Sequence, residues 1–450
     1  MNAIVMDISR LVEREHYSTP TGIDRYALHY ANWLNERRKR TDAAQSSQSA
    51  WFIETGYSGA VAVGTNRADK LISAINHRWA TTELSSSQAA FLERIFAAID
   101  GKLAWHAAEE DAATGQVLLK RLRRNARLVA GSVFDRLNIP SNTALIHVSH
   151  SRLDRTSAFS WLRESGRKGI FYVHDLIPLL HPEFVRPHEP RRHRSRMETV
   201  LNHAALVLCN SQVTARALYT FAQEENLRLP SIAVLPPGVE KAFLNVPRDL
   251  PRPRNPYFVV VGTIEPRKNH MLLLHLWQYL AERDGPRAPR LVIVGKRGWE
   301  NSQILAMLER CRALPGLVIE VPGLGDAALA RLVAGASALL SPSFVEGYGM
   351  PVTEALALHT PVIASNIPSH REAAGSEAIL LDPLDGRNWR AAIDAVLTSP
   401  RRLHAAGTIH RWETHFSDLE ALIETDIAAR RYSAQRRPQR AFAIPKGALS

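Results

Sequence analysis

The segment Phe344–Leu356, FVEGYGMPVTEAL, places two glutamates, Glu346 and Glu354, on either side of a glycine-rich turn. Seven residues separate the two glutamates. The preceding apolar run, Ala336–Leu340, is short enough for a buried strand. Pro351 suits the first turn of a helix, because its missing N–H costs nothing at that position. The segment therefore predicts a strand–loop–helix corner.

Two glycines shape this predicted corner. Gly347 and Gly349 allow positive φ or a close approach of the backbone to a ligand. The helix start offers unpaired N–H groups and a partial positive charge, which together can bind an anion. Glu346 would lie in the loop and Glu354 one turn into the helix. A solvated glycine loop with two surface acids is the simpler alternative for this corner alone.

The whole chain has an ordinary globular composition. Its 450 residues indicate two or three domains, and the sequence contains no apolar run long enough to span a membrane. No secretory signal is evident, so we expect a cytoplasmic protein with a peripheral contact at the inner membrane. Cys209 and Cys311 each lie in or beside apolar segments, which favours buried thiols over a disulfide or zinc site.

The charge is strongly basic, at +12, which predicts an anionic partner. Leu118–Val129 mixes leucines with lysine and arginines, and is a candidate amphipathic helix at an anionic membrane; a solvated helix face is the alternative. Arg186–Arg196 is predicted as a solvated loop, or as a segment that orders on an anionic acceptor. Its histidines, with His181, lack metal-ligand spacing.

Strand-like and helix-like segments alternate throughout the chain, which predicts two doubly wound α/β domains. The Pro- and Arg-rich segment Val246–Pro256 is typical of a linker. The predicted units are an N-terminal, acceptor-side domain at 1–245 with an irregular insertion at about 42–137, a donor domain at 255–400, terminal helices at 401–432 that pack back on the first domain, and a basic, disordered tail at 433–450.

Polar and glycine residues follow the predicted strands where ligands bind in such sheets. They are Gly22, His174, Asp175, Arg267, Lys268, Asn269, Lys296, Arg297 and Gly323, together with the glutamate corner. The sequence thus gathers glycines, cations and carboxylates at one edge of both domains.

The order of motifs in the second half resembles the donor half of family-four retaining glycosyltransferases with the GT-B fold. The resemblance rests on GTIEPRKNH, on the stretch from VPGLGD through the glutamate pair to TPVIAS, and on AILLDP, between Tyr257 and Pro383. PTGIDRY, HDLIPLLHPEF and VLPPGV in the first half resemble bacterial transferases that build surface polysaccharides.

The resemblance implies a nucleotide-sugar donor held by the second domain. Glu354 would hydrogen-bond the ribose, Glu346 would face the donor sugar, Lys268 would bind phosphate and Gly323 would flank the base. Donor-contacting positions at the helix start would be Gly347, Tyr348, Gly349 and Met350. In the first domain, Gly22 would close over the diphosphate, and His174 would face sugar and acceptor across the cleft.

One position departs from the family pattern. An arginine often follows the glycine that ends the first donor-domain strand, but Thr263 follows Gly262 here. Thr263 still lies in the predicted donor site. The sequence does not assign the residue that supplies the second phosphate-binding cation. Arg267, Lys296 and Arg297 are the candidates.

The implied chemistry expects no metal and no cofactor. The sequence contains no Asp-x-Asp pair, and Lys268 with the helix N–H groups can balance the charge that develops on the leaving diphosphate. Glu346, His174 and Lys268 are the predicted catalytic residues. Retention would follow from front-face attack, in which the departing phosphate accepts the acceptor's proton.

Several alternatives remain open from the sequence. GDP-mannose is the first choice of donor, with dTDP-rhamnose and UDP-sugars next; the expected acceptor is a lipid-linked saccharide. A GT-B sugar-nucleotide epimerase would bind the nucleotide similarly. A glycosidase also uses two carboxylates, but would not need Lys268 beside a phosphate-type loop. A nucleic-acid-binding protein is disfavoured, because no RNA-stacking aromatic motif is present.

Overall fold

The computed structural model describes residues 4–17, 19–42, 52–56, 59–79, 83–105, 143–247, 252–398 and 409–433. Two sheets organise these residues. The strands of the first sheet are β1 (Ile4–Asp7), β2 (Phe52–Thr55), β3 (Ala60–Val63), β4 (Ala144–His147), β5 (Lys168–Val173), β6 (Ala204–Cys209) and β7 (Ser231–Val234). The strands of the second are β8 (Tyr257–Val261), β9 (Arg290–Val294), β10 (Val318–Val321), β11 (Ala338–Ser341), β12 (Val362–Ser365) and β13 (Ile379–Leu381).

Helices cover the faces of both sheets. The first-half helices are α1 (Ser9–Arg14), α2 (Gly22–Asp42), α3 (Thr65–Trp79), α4 (Ser86–Ile99), α5 (Ser160–Glu164), α6 (Ile177–Leu180), α7 (Glu189–His203), α8 (Gln212–Glu224) and α9 (Lys241–Leu244). The later helices are α10 (His270–Asp284), α11 (Ser302–Arg310), α12 (Asp326–Gly335), α13 (Met350–Ala357), α14 (Pro368–Ala374), α15 (Gly386–Thr398) and α16 (Trp412–Ser433).

The first sheet has the strand order β3-β2-β1-β4-β5-β6-β7 and is parallel except for the β2–β3 pair. Its central strands are buried on both faces, which explains their nearly continuous apolar sequences. The order reverses between β1 and β4, so a crevice opens where the loops that follow these strands diverge.

The second sheet has the order β10-β9-β8-β11-β12-β13, and all of its strand pairs are parallel. Here the order reverses between β8 and β11, which pair through Ala338–Phe258 and Leu339–Val259. The loops after β8 and β11 are therefore neighbours, although about 80 residues separate them in sequence. The prediction of two doubly wound α/β domains is confirmed.

The segment predicted as an irregular insertion, 42–137, is more regular than expected over its described part. β2 and β3 extend the first sheet, and α3 and α4 follow them. The sequence did not reveal β2 and β3 because each is only four residues long, too short for a clear apolar pattern. Residues 106–142, which include the basic stretch Leu118–Val129, lie outside the described residues.

Packing divides the chain differently from the predicted boundary near 245–255. Leu92, Ile95 and Ile99 of α4 join the core of the second sheet, as does Phe243 of α9. Conversely, α16 contributes Trp412, Leu419 and Ile423 to the core of the first sheet. Each domain is thus completed by a segment from the other side of the sequence boundary.

Membrane contact was a further expectation. Among the described residues, no helix is both long enough and apolar enough to cross a membrane. The tail at 434–450 lies outside the described residues.

Candidate active site

The quoted corner folds as its sequence predicts. β11 ends at Ser341 and α13 begins at Met350, with Pro351 in its first turn. Gly349 caps the helix with φ of 111°, a conformation that favours glycine. A Cβ on Gly347 would collide with the backbone oxygen of His174, so this glycine lets the two domains approach each other.

Glu346 is the centre of a partly buried ion cluster. Arg267 Nη1 donates to its Oε2 over 2.6 Å, and Lys268 Nζ lies 2.5 Å from its Oε1. Ser343 Oγ also donates to Oε1, over 2.8 Å. Burial alone would raise the pKa of Glu346, but the Arg267 and Lys268 cations hold that pKa well below its usual range. Glu346 is therefore ionised at neutral pH.

The two cations come from the loop after β8, in the short 3-10 turn Pro266–Lys268. Arg267 also pairs with the buried Glu265, at 2.5 Å from Nε to Oε1. Lys268 lies against Gly262, where a Cβ would be 3.0 Å from Lys268 Cε. The adjacent strands β8 and β11 thus bring Lys268 and Glu346 together, as the positions of their loops require.

Glu354 lies on the next turn of α13 and is engaged from the first domain. Arg25 Nη1 of α2 donates to Glu354 Oε1 over 2.7 Å, and Arg25 Nη2 also donates to Asp326 Oδ1. Burial raises the pKa of Glu354 to about 7, with Arg25 opposing this and Asp326 and Glu240 adding to it.

His174 stands at the end of β5 and is buried. Its Nε2 donates to the Val148 backbone oxygen over 2.8 Å. Burial lowers the pKa of His174 to about 4, so the ring is neutral at pH 7. Because Nε2 carries the proton, Nδ1 is the acceptor nitrogen.

Gly22 and Gly323 both lie where the domains meet. A Cβ on Gly22, the first residue of α2, would collide with the methyl carbon of Met350 at the start of α13. A Cβ on Gly323 would be 3.4 Å from Thr19, in the loop before α2. The Gly22 loop therefore covers the helix start that is predicted to bind phosphate.

The structure separates the candidate cations. Arg297 Nε lies 2.7 Å from Glu320 Oε1 and Nη1 lies 2.5 Å from Glu309 Oε1, so its charge is balanced locally. The Thr263 methyl group lies close to Gly298. Arg267, in contrast, shares Glu346 with Lys268, so it lies beside Lys268 at the crevice.

Tyr348 lies between the two glycines of the corner and is half-buried. Burial raises the pKa of Tyr348 to about 12, and Glu372 of α14 adds to the effect. Glu372 also accepts from the backbone N–H of Gln212 over 2.7 Å, which links the corner region to the start of α8 in the first domain.

The expectation of a solvated loop at Arg186–Arg196 was wrong. α7 begins at Glu189, with Pro190 in its first turn, and His193 is buried with Nε2 donating to the Asp175 backbone oxygen over 3.1 Å. The arginines around His193 hid the helical period, because they occupy mostly its outer face.

Sequence reasoning missed several charged partners. Arg25 follows Gly22 by three residues, so it was within the recognised PTGIDRY motif without being assigned a role. Asp326 and Ser343 are also new to the site. Within the residues that the structure describes, no cluster of three histidine, cysteine or acidic side chains could hold a metal; the metal-free expectation stays a prediction.

Residues 245–411 match a family model described as "Glycosyl transferases group 1". The chain carries a glycosyl transferases group 1 domain. Relatives of this glycosyltransferase domain include the Escherichia coli O-antigen chain mannosyltransferase B, 36% identical over 129 residues, which are 29% of this chain and 33% of that protein. The E. coli serotype-specific mannosyltransferase WbdA is 28% identical, over 48% of this chain and 28% of its own length. These matches thus cover a third or less of the relatives.

Solved structures extend the likeness beyond the glycosyltransferase domain. Anabaena HepE in complex with UDP and glucose matches 94% of this chain and 100% of its own, with 14% identity and a TM-score of 0.59. Sucrose-phosphate synthase from Thermosynechococcus elongatus matches 72% of this chain and 81% of its own, with 18% identity and a TM-score of 0.52. Both likenesses concern the fold, which is GT-B.

Proposed function

We propose that the protein is a retaining glycosyltransferase that takes its sugar from a nucleotide-sugar donor. One observation carries the proposal: Lys268 and Arg267 converge on Glu346 at the β8–β11 crevice, beside the start of α13. The buried Lys268, the partly buried Arg267 and the helix N–H groups suit a diphosphate, and a carboxylate among them suits sugar hydroxyls.

The proposed donor sugar is mannose, supplied as GDP-mannose. Support comes from the names of the relatives, two of which are mannosyltransferases of O-antigen or serotype-specific type. The proposed acceptor is a lipid-linked saccharide or a growing polysaccharide of the cell surface. dTDP-rhamnose and UDP-sugars remain the alternative donors.

The transfer step exchanges one bond at the sugar's anomeric carbon for another. The bond to the diphosphate oxygen breaks, and the acceptor oxygen bonds to the same face of the sugar. The acceptor's proton moves to the departing phosphate oxygen. Lys268 and Arg267 would stabilise the negative charge that grows on that oxygen, which lowers the barrier if they bind it more strongly in the transition state.

Glu346 and His174 would position the sugar. Glu346 is ionised beside two cations, so it is a hydrogen-bond acceptor and not a proton donor. Neutral His174 would likewise accept, through Nδ1, from a sugar or acceptor hydroxyl. A bound diphosphate would compete with Glu346 for Lys268 and Arg267. The Glu346 carboxylate would then be freer to contact the sugar.

A GT-B sugar-nucleotide epimerase is the second candidate, since it would use the same nucleotide site. It needs no acceptor. Incubation of the protein with GDP-mannose, dTDP-rhamnose or UDP-glucose, with and without a polyprenyl-diphosphate-linked saccharide, separates the two. Release of an altered sugar nucleotide without acceptor would support the epimerase and contradict transfer.

The same assay tests the stereochemistry and the metal. Nuclear magnetic resonance of the product should show the donor's anomeric configuration retained. Activity should survive excess EDTA, because Lys268 and Arg267 supply the positive charge. Inverted product, or full loss of transfer restored by Mg²⁺ or Mn²⁺, would contradict this mechanism.

A further inference from the structure

One face of α2 reaches carboxylates that come from the later part of the chain. Arg25 and His29 are four residues apart and so lie on the same face of this helix. Arg25 contacts Asp326 and Glu354, while His29 Nε2 lies 2.8 Å from Glu240 Oε2. The helix that begins at Gly22 therefore places two basic side chains in contact with three acidic ones.

The contact between Arg25 and Glu354 leaves one oxygen of the carboxylate available. Arg25 Nη1 donates to Oε1, and no described residue donates a hydrogen bond to Oε2. Side-chain exposure is 14% for Arg25 and 7% for Glu354, so both charges are largely shielded from water. Arg25 Nε is buried and has no partner within the described residues. Glu354 Oε2, an acceptor, and Arg25 Nε, a donor, thus lie together at the domain boundary without a hydrogen-bond partner among the described residues.

Asp326 fixes the other arm of the arginine. It lies in the first turn of α12 and accepts from Arg25 Nη2, with a side-chain exposure of 7%. The planar guanidinium is therefore held between two acids of the second domain. Its position fixes which oxygen of Glu354 remains open.

We propose that Arg25 is a positioning residue, which holds Glu354 Oε1 from the opposite domain so that Oε2 receives a ribose hydroxyl. The proposal rests on the proposed function, because it assumes that a nucleoside diphosphate binds at α13. It makes the preference for ribose over 2′-deoxyribose depend on the contact between α2 and the second domain. The nucleotide is then recognised only when both domains take part.

Charge supports the same role. Burial raises the pKa of Glu354, as do Asp326 of α12 and Glu240 before α9, whereas Arg25 lowers it. His29 of α2 pairs with Glu240. Loss of Arg25 would raise the pKa of Glu354 further, and a protonated carboxyl accepts hydroxyl hydrogen bonds more weakly.

Arg25→Met tests the positioning role by its effect on ribose selectivity. Affinities for GDP and 2′-deoxy-GDP, and for UDP and 2′-deoxy-UDP, are measured by calorimetry at pH 8. We expect the wild type to prefer the ribonucleotide by about tenfold, because the deoxyribonucleotide lacks one hydroxyl that can donate to the charged Glu354. Arg25→Met should prefer the ribonucleotide by about twofold or less. A purely structural effect would weaken both nucleotides equally.

Arg14→Met is the matched control. Arg14 has a side-chain exposure of 17% and pairs with the buried Asp24, but this pair lies within the first domain. The control should keep the wild-type ribose preference. If Arg25→Met does not fold, Arg25→Lys takes its place, since it keeps the charge and loses the two-armed contact; its ribose preference should fall below that of the wild type.

The pH dependence of nucleotide affinity gives a second readout. Arg25→Met removes a cation, so the pKa of Glu354 should rise. As the pH is lowered, this variant should therefore lose nucleotide affinity at a higher pH than the wild type does. Asp326→Asn removes an anion, so the pH of half-maximal affinity should fall. Opposite shifts support the positioning role.

Two failures can be told apart. If wild-type protein binds neither GDP, UDP nor dTDP, the proposed function fails. If it binds a nucleoside diphosphate, and Arg25→Met keeps the ribose preference with an unshifted pH midpoint, only the role of Arg25 is overturned. A wild type that binds ribo- and deoxyribonucleotides equally would also overturn it.

Discussion

At the scale of single residues, buried charges occur in compensated groups. Lys268 is only 8% exposed and Glu265 1%, and both belong to the cluster around Glu346. Removing one member of such a group leaves the others uncompensated in a medium that solvates them poorly. Substitutions here therefore change both binding and the charge state of what remains.

Lys268→Ala should lower the rate of sugar transfer by about 10²-fold or more, since a lost charge-assisted contact to a developing anion costs about 2.7–4 kcal/mol. The measurement is kcat with the cognate donor. Lys102→Ala, at an exposed lysine that pairs with Asp100, is the control and should leave kcat unchanged. Wild-type turnover in Lys268→Ala would remove this lysine from the reaction.

The two glutamates should respond differently to the same change. Glu354→Gln should weaken binding of the nucleoside diphosphate, by about 1.5–3 kcal/mol for hydrogen bonds to a charged group. Glu346→Gln should keep that affinity or increase it, because Lys268 and Arg267 are released for phosphate, while turnover falls. Calorimetry with GDP, UDP and dTDP, followed by transfer assays, checks both; equal and unchanged behaviour of the two variants would contradict the assigned roles.

At the scale of elements, the corner between β11 and α13 is held from both domains. Ser211 Oγ of the first domain donates to the Gly347 backbone oxygen over 2.7 Å, and the ring of Phe344 stacks on Phe184, with centroids 5.6 Å apart. The helix start is thus a boundary element, whose conformation depends on what the first domain presents to it.

Gly347→Ala should reduce both stability and transfer. The new Cβ would meet the backbone oxygen of His174, which cannot rotate away as a flexible side chain can, and overpacking of this kind costs about 1–3 kcal/mol. Urea denaturation and transfer assays test this. Gly386→Ala is the control, since a Cβ there would be 3.5 Å from Leu272, an ordinary contact. Unchanged transfer in Gly347→Ala would show that the domains need not approach at this point.

At the scale of the whole molecule, the last described helix completes the first domain. His415 Nδ1 of α16 donates to the Pro236 backbone oxygen over 2.7 Å, and His415 Nε2 accepts from Tyr30 Oη over 2.9 Å. Trp412 stacks on His29 with ring centroids 4.1 Å apart. The stability of the first domain therefore depends on residues that follow the second.

Leu419→Ala should destabilise the first domain by about 2–5 kcal/mol, the range for truncation of a buried leucine. Leu419 is fully buried in the core of the first sheet. Leu384→Ala is the matched control, since Leu384 is 79% exposed and should cost far less. Urea denaturation followed by fluorescence measures both. Equal midpoints for the two variants would show that α16 contributes nothing to this core.

The sequence predicted local features better than distant pairings. Continuous apolar strands identified the doubly wound domains, and Pro351 with Gly349 identified the corner, because these signals lie within a few residues. Arg25 could not be paired in the same way, since it lies 329 positions from Glu354 in the sequence. Such a contact produces no periodicity or motif spacing in the sequence, because only the arrangement of the two domains determines it.

The chain leaves and re-enters the first domain at one place. Val239 forms a parallel bridge with Arg411, and its backbone N–H donates to the His410 oxygen over 2.9 Å. The polypeptide between these points therefore begins and ends at the same place on the first domain, as an inserted segment does. To exchange this segment with that of a relative, an engineer would need junctions at both ends, near 239 and 411, and a matching α4, because α4 also packs into the core of the second sheet. A chimera with one junction would carry a foreign α16 into the core of the host.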